Sequence, residues 1–243
     1  MNTLHTIAFT VYPYVCLAFF LMGSLARFDR DQYTWKSDSS QLLRAGQLRW
    51  GSNLFHGGIL FLFFGHLFGQ LTPHAVYGLV MTSSQKQLLA VIAGGVAGGL
   101  CFIGLTMLLH RRLFDPRIRL TSHRTDIAIL LILWVQLVLG LITLPFSIGH
   151  SDGGTMLILA DWAQNLVTLR PDAAALAGVA WPYKVHLVLG MTIFFLFPFS
   201  RLVHVWSGFA TVAYLFRPHQ VVRSRRLNLP ADHNQPRQPG ARV

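Results

Sequence analysis

An uncharged apolar segment of about 21 residues, Trp50–Gln70, restricts the fold of this chain more than any other feature. A helix of that length crosses the hydrocarbon layer of a bilayer, about 30 Å thick. The segment contains His56 and His66, and an imidazole inside a bilayer is costly enough to be a functional-site hypothesis. Glycines lie beside both rings, Gly57 and Gly58 after the first and Gly65 before the second. The missing side chains would leave room for a large flat ligand.

Composition assigns the chain to the integral membrane proteins. Its 243 residues are 53% hydrophobic and 12% charged, with a mean hydropathy of +0.47. A soluble domain carries about twice that charged fraction. Both cysteines, Cys16 and Cys101, lie in apolar runs. They are too few for a disulfide framework, a zinc site or an iron–sulfur cluster, and we predict that they are small core residues.

Five apolar segments predict an all-α bundle of five transmembrane helices. They cover about 3–26, 50–70, 87–109, 126–145 and 183–207. The first segment has neither a basic leader nor a small-residue cleavage site, so we expect it to be a retained span. We predict one membrane domain over 1–216 and a polar, basic tail over 217–243.

The distribution of positive charge predicts the orientation. Seventeen of the 20 lysines and arginines fall in the connections 27–49 and 110–125 or between Arg201 and the C-terminus. Cytoplasmic loops are enriched in these residues. The N-terminus is therefore expected outside, the tail in the cytoplasm, and the chain in the cell inner membrane. The basic net charge is explained in the same way, without a nucleic-acid partner.

Four of the eleven histidines lie well inside spans, two in the second and two in the fifth. His186 and His204 are 18 positions apart, which on an ideal helix gives the same face and a rise of about 27 Å. His56 and His66 are about 15 Å apart along their helix axis. Antiparallel spans pair His66 with His186 near the outside, and His56 with His204 near the cytoplasm.

Each pair has the composition of a bis-imidazole haem site. Two alternatives stay open: a metal-free proton relay, and hydrogen bonding between helices without a further function. The unequal separations of about 15 and 27 Å are the weakest point of the haem interpretation, and Pro198 lies where a kink would re-aim His204.

Several cations lie where they would serve such sites. Arg111, Arg112 and Arg201 lie near the predicted cytoplasmic ends and are candidate partners for haem propionates, or else simple topology anchors. Lys86 lies at the predicted outer mouth of the third span. It is a candidate hydrogen-bond donor to a quinone oxygen, or else an interfacial lysine whose ammonium extends to water.

The third span also contains AGGVAGG at 93–99. Its small residues recur at a spacing of four, as in Gly94 with Gly98, which is typical of close helix contact. The alternative is room for the face of a macrocycle.

Long stretches of the chain resemble the gamma subunit of respiratory nitrate reductase, a membrane dihaem cytochrome b. The resemblance covers about 12–206 and rests on YTWKSDSSQLL, SNLFHGGIL, GHLFGQLTPH, RRLFDPRIR, LGLITLPFS and VHLVLGMTIFFLFPFSRLVHVWS. It implies five spans, two haem b groups and quinol as the substrate. The implied axial ligands are His56 and His204 for the inner haem, and His66 and His186 for the outer one.

The resemblance also implies a quinol site formed by Gly65, His66 and Lys86. Electrons would pass from quinol through the haems to an iron–sulfur beta subunit and a molybdenum-containing alpha subunit that reduces nitrate. The implied process is anaerobic respiration, with nitrate assimilation as an associated role. Two alternatives remain: a cytochrome b subunit of a sulfite- or heterodisulfide-related complex, and a channel or transporter without haem.

Overall fold

The computed structural model describes residues 2–30, 45–149 and 152–208, and within these ranges the chain is helical and contains no strand. Five helices are long and apolar enough to cross a membrane, judged by length and composition. The predicted all-α class and the five spans are therefore confirmed. The five helices are α1 (Thr3–Arg30), α2 (Ala45–Leu71), α4 (Ser83–Phe114), α6 (Arg124–Ile148) and α8 (Trp181–Leu196). Shorter helices are α3 (His74–Tyr77), α5 (Pro116–Thr121) and α7 (Gly154–Val167).

The long helices pack in the order α2, α4, α6, α8 and α1. Glycines bring α2 and α4 especially close, because a Cβ added at Gly58 would lie 2.6 Å from the Cβ atom of Cys101. In the described part of the chain, α2 and α8 do not pack extensively on each other. The four histidines lie on α2, on α8 and in the segment that follows α8, and the packing order connects α2 to α8 through α4 and α6.

A helix that the sequence does not predict, α7, lies in the connection 146–182. It has 14 residues, too few to span a bilayer. Its Trp162 is 2% exposed and donates a hydrogen bond of 3.0 Å to the Phe9 carbonyl, and Tyr14 donates to the Leu166 carbonyl at 2.9 Å. These contacts hold α7 against the N-terminal half of α1.

The prediction of one continuous helix over 183–207 is wrong. Helix α8 ends at Leu196 and is followed by two short 3₁₀ turns, Phe197–Phe199 and Arg201–Val203. Between the two turns Ser200 is extended, with φ −121° and ψ 176°. Pro198 explains the change, because proline has no N–H to continue the α-helical ladder. The interruption that the sequence predicts at Pro198 is thus confirmed, and the straight-helix separation of about 27 Å does not apply.

Helix α1 packs against this interruption. A Cβ added at Gly23 would lie 2.8 Å from Cγ of Pro198, so only glycine fits that contact without a shift. One turn further, Nη1 of Arg27 donates to the carbonyls of Pro198 at 2.7 Å and Ser200 at 2.9 Å. Carbonyls that lose their helical donors at the break thereby regain partners.

The predicted domain boundary at 216/217, the basic tail and most of the connection 27–49 lie outside the described residues. Orientation in the membrane stays a prediction.

Candidate functional site

The structure brings the four span histidines together in the two pairs that the sequence predicts. The ring centroids of His56 and His204 are 6.4 Å apart, with an interplanar angle of 73°. Those of His66 and His186 are 6.2 Å apart, at 40°. Each pair joins α2 to α8 or to the segment that follows it, and the pairs lie toward opposite ends of the bundle.

All four imidazoles are held through Nδ1 by a backbone carbonyl oxygen. His56 contacts the Ser52 carbonyl at 2.7 Å, and His66 contacts the Leu62 carbonyl at 2.7 Å. A carbonyl only accepts, so each Nδ1 carries the proton and donates it. The unprotonated nitrogen is therefore Nε2, the form in which an imidazole binds a metal.

The other two rings follow the same rule with different partners. His204 contacts the Arg201 carbonyl at 2.6 Å, within its own turn. His186 contacts the Gln136 carbonyl on helix α6 at 3.1 Å. Among the four, His186 is the one that takes its carbonyl from another helix.

The spacing of both pairs fits one metal ion held between two rings. A metal–imidazole bond is about 2 Å long, so two nitrogens on opposite sides of one metal are about 4 Å apart and their ring centroids about 6 Å apart. The observed 6.4 and 6.2 Å agree with that value. Among the described residues, no group of three or more His, Cys, Asp or Glu side chains could hold a metal, so each pair would offer a metal two protein ligands. Two protein ligands suit an iron whose remaining ligands come from a porphyrin.

The helix surface beside two of the rings is open. A Cβ added at Gly57 or at Gly65 would meet no atom within 4 Å. Both glycines therefore meet the expectation of room for a flat ligand beside His56 and His66. Gly58 does not, because it faces α4.

The glycines of the run at 93–99 differ in what lies next to them. A Cβ at Gly98 would lie 2.9 Å from a methyl group of Leu141, which is the close helix contact typical of small residues. At Gly94 and Gly99 a Cβ would meet nothing within 4 Å.

The arginines near the His56–His204 pair share one carboxylate. Oδ2 of Asp126 lies 3.3 Å from Nη1 of Arg112 and 3.5 Å from Nη1 of Arg201. Asp126 is 7% exposed and Arg112 is 8% exposed. Arg111, the third predicted cation, is buried on the same turn as Arg112. Three guanidinium groups are thus gathered at this end of the bundle, and guanidinium groups bind anions through charge-assisted hydrogen bonds.

Lys86 lies in the first turn of α4 and is buried rather than extended to the surface. Its Nζ is 3.7 Å from the centroid of the Tyr77 ring and has no hydrogen-bond partner among the residues that the structure describes. The ring face attracts the ammonium but accepts no conventional hydrogen bond. Within the described part of the chain, no residue accepts a proton of Nζ. Because α2 leads through 72–82 directly into α4, Lys86 lies at the same end of the bundle as His66.

Sequence reasoning missed Gln136, whose side chain and carbonyl both contact His186. The available signal was an amide in the middle of an apolar span, where it needs a partner on another helix. It also missed Asp126, whose acidic side chain at the start of α6 is the shared partner of two arginines.

Comparisons with known proteins show the family. A sequence model described as "Nitrate reductase gamma subunit" matches residues 5–225. In Escherichia coli (strain K12), the respiratory nitrate reductase 1 gamma chain is 50% identical over 93% of this chain and 100% of its own length. The respiratory nitrate reductase 2 gamma chain is 51% identical over 92% of this chain and 98% of its own. The nitrate reductase gamma chain of Bacillus subtilis (strain 168) is 38% identical over 88% and 96%.

Both E. coli names specify a respiratory enzyme rather than an assimilatory one. The matches also do not favour a sulfite- or heterodisulfide-related complex. With five membrane-capable helices and matches over nearly its whole length, the chain belongs to the nitrate reductase gamma subunit family, as a multi-pass membrane subunit of a respiratory nitrate reductase.

Proposed function

We propose that the chain is the quinol-oxidising cytochrome b subunit of its complex, with His56 and His204 as axial ligands of an inner haem b and His66 and His186 as those of an outer one. The observation that carries the proposal is the repeated geometry of the two pairs. Each has ring centroids near 6 Å and leaves Nε2 of both rings unprotonated.

The same hydrogen bonds argue against a metal-free proton relay. A relay needs groups on both sides of each ring that give and take protons. The Nδ1 protons end on backbone carbonyls, which cannot pass a proton on. The fixed tautomers thus favour metal ligation over proton transfer.

When bound, the two haems supply the one-electron chemistry that links quinol to the other subunits. The residues of this chain orient the ligand rings and neutralise charge. Arg112 and Arg201 share Asp126, and their guanidinium groups, with that of the neighbouring Arg111, would bind the anionic propionates of the inner haem by charge-assisted hydrogen bonds.

Quinol is proposed to bind at the end of the bundle that contains Lys86, His66 and Gly65. The buried ammonium of Lys86 would donate a hydrogen bond to a quinol oxygen, since no described residue accepts a hydrogen bond from it. Gly65 leaves the space beside His66 open. The face of the Tyr77 ring stabilises the ammonium of Lys86 without accepting a conventional hydrogen bond from its N–H groups.

The proposed orientation places this end at the outer face of the cell inner membrane, because the basic connections then lie in the cytoplasm. Protons from quinol would leave outside while electrons cross inward, and moving one charge across 100 mV is worth about 2.3 kcal/mol. The proposed partners are the iron–sulfur beta subunit and the molybdenum-containing alpha subunit.

Counting haem per chain tests the proposal. Pyridine haemochrome analysis of the purified wild type should give two haem b groups. His186→Leu and His204→Leu should each lower the count to one, with loss of a different component from the reduced-minus-oxidised spectrum. His123→Ala is the matched control, because His123 is an exposed histidine at the start of α6 and outside both pairs.

A wild-type chain without visible haem absorbance would overturn the proposal and favour a channel or transporter. A control variant that also lost one haem would show that the count does not report axial ligation.

A further inference from the structure

His186 is anchored differently from the other three histidines of the pairs. His56, His66 and His204 donate to carbonyls three or four residues before them in the chain. His186 donates instead across to the Gln136 carbonyl, 50 residues away. The direction of its ring therefore depends on how α6 and α8 pack.

Gly140 makes the Gln136 carbonyl accessible. In an α-helix a carbonyl faces the residue four positions later, whose N–H it accepts. A Cβ at Gly140 would lie 3.0 Å from Cε1 and 3.6 Å from Nδ1 of His186. Any side chain at that position would push the imidazole away from the carbonyl.

The contact is reciprocal. Nε2 of Gln136 donates to the His186 carbonyl at 3.0 Å, and a Cβ at Gly190 would lie 3.1 Å from that amide nitrogen. Each helix thus offers a carbonyl that is exposed by a glycine four residues later. Gln136 and Gly140 do this on α6, and His186 and Gly190 do it on α8.

The His186 carbonyl fixes the orientation of the Gln136 amide, because a carbonyl oxygen accepts a hydrogen bond only from the NH₂ group. Its Oε1 is buried and has no hydrogen-bond partner in the described ranges. A buried acceptor without a partner is unfavourable, so the amide is held in this orientation at a cost. Nε2 of Gln136 also lies 3.4 Å from Nε2 of His186, a contact too long to be a strong hydrogen bond.

We propose that Gln136, Gly140 and Gly190 are positioning residues that fix the tautomer and ring orientation of His186. The inference rests on the proposed function, because it concerns the outer axial ligand. Carbonyl acceptors on Nδ1–H raise the basicity of a ligating imidazole. The residues therefore adjust the outer iron without touching it and have no direct effect on the inner one.

The test uses the full chain in its complex and reads each haem separately. Gly140→Ala and Gln136→Leu should shift the midpoint potential and the low-spin electron paramagnetic resonance signal of the outer haem. The inner haem should keep both properties and so report correct folding. Gly46→Ala is the matched control, because it adds the same methyl group to a membrane helix at a position where no described residue lies within 4 Å and which is outside both histidine pairs.

Gly190→Ala provides a second variant if Gly140→Ala does not assemble. Unchanged outer-haem signals in the α6 variants, beside a dihaem wild type, would overturn the positioning role and leave the proposed function standing. Equal shifts of both haems would also overturn it, since they would indicate general repacking. A wild type without the outer haem would overturn the proposed function and this inference with it.

Discussion

At the scale of single residues, Lys86 has surroundings that are unusual for an ammonium group, because it is buried over an aromatic ring. An ammonium taken from water loses its hydration and normally gains a carboxylate or several acceptors. Among the residues that the structure describes, Lys86 gains only the face of Tyr77, at 3.7 Å. That contact is worth about 2 kcal/mol when desolvated, less than the loss of hydration. This uncompensated cost of burial supports the proposed role of Lys86 as a hydrogen-bond donor to a substrate.

Replacing Lys86 by alanine should leave both haems in place and slow quinol oxidation. Loss of one charge-assisted hydrogen bond, about 1.5–3 kcal/mol, corresponds to a rate lower by roughly 10- to 100-fold. The measurement is the rate of haem reduction after mixing with a quinol. Lys184→Ala is the control, because Lys184 lies at the same end and donates to the Ala177 carbonyl. Wild-type rates in the Lys86→Ala variant would refute the substrate role.

At the scale of elements, the interruption after α8 decides whether the inner pair exists. A straight helix would carry His204 onward along its axis. The 3₁₀ turns and extended Ser200 redirect the chain, so that the His204 ring lies 6.4 Å from His56. Helix α1 holds that geometry through Gly23 and Arg27.

Gly23→Ala and Arg27→Gln should therefore weaken the inner haem site without affecting the outer one. The added methyl group would meet Pro198 at 2.8 Å, and the shortened polar side chain would leave carbonyls of the break without a donor. Haem content should fall from two toward one per chain, with loss confined to the inner component of the redox titration. Gly46→Ala, where a methyl group meets no described residue within 4 Å, should keep both haems. A loss that affected both haems alike would contradict a local role.

At the scale of the whole molecule, the proposed charge separation depends on orientation. The arrangement requires the Lys86 end outside and the arginine-rich end inside. Leu79 and Leu120 lie at these two ends and are 85% and 88% exposed. Both native cysteines are 0% exposed, so they should not react with a polar thiol reagent.

Single substitutions Leu79→Cys and Leu120→Cys, in the chain expressed without partner subunits, test the orientation. A membrane-impermeant maleimide added to intact spheroplasts should label Leu79→Cys alone. After permeabilisation both variants should be labelled, which shows that both thiols are reactive. Labelling of Leu120→Cys in intact spheroplasts would reverse the proposed direction of electron flow.

The five spans and the four histidines could be predicted from the sequence because they depend on local quantities. The length of an apolar run and the cost of a buried imidazole are properties of the segment itself. The antiparallel order of the second and fifth spans was enough to pair His66 with His186 and His56 with His204. The helix break at Pro198 could likewise be predicted, because proline has no backbone N–H to continue the helix.

Contacts between helices decided the rest. Gly57 and Gly58 are neighbours in sequence, yet one faces open space and the other Cys101. Nothing local marks the Gln136 carbonyl as the partner of His186, because both belong to helices whose register is set by packing. Likewise, nothing local marks Asp126 as the shared partner of Arg112 and Arg201. Hydrogen bonds and close approaches across helices depend on relative position in three dimensions, which no single segment contains.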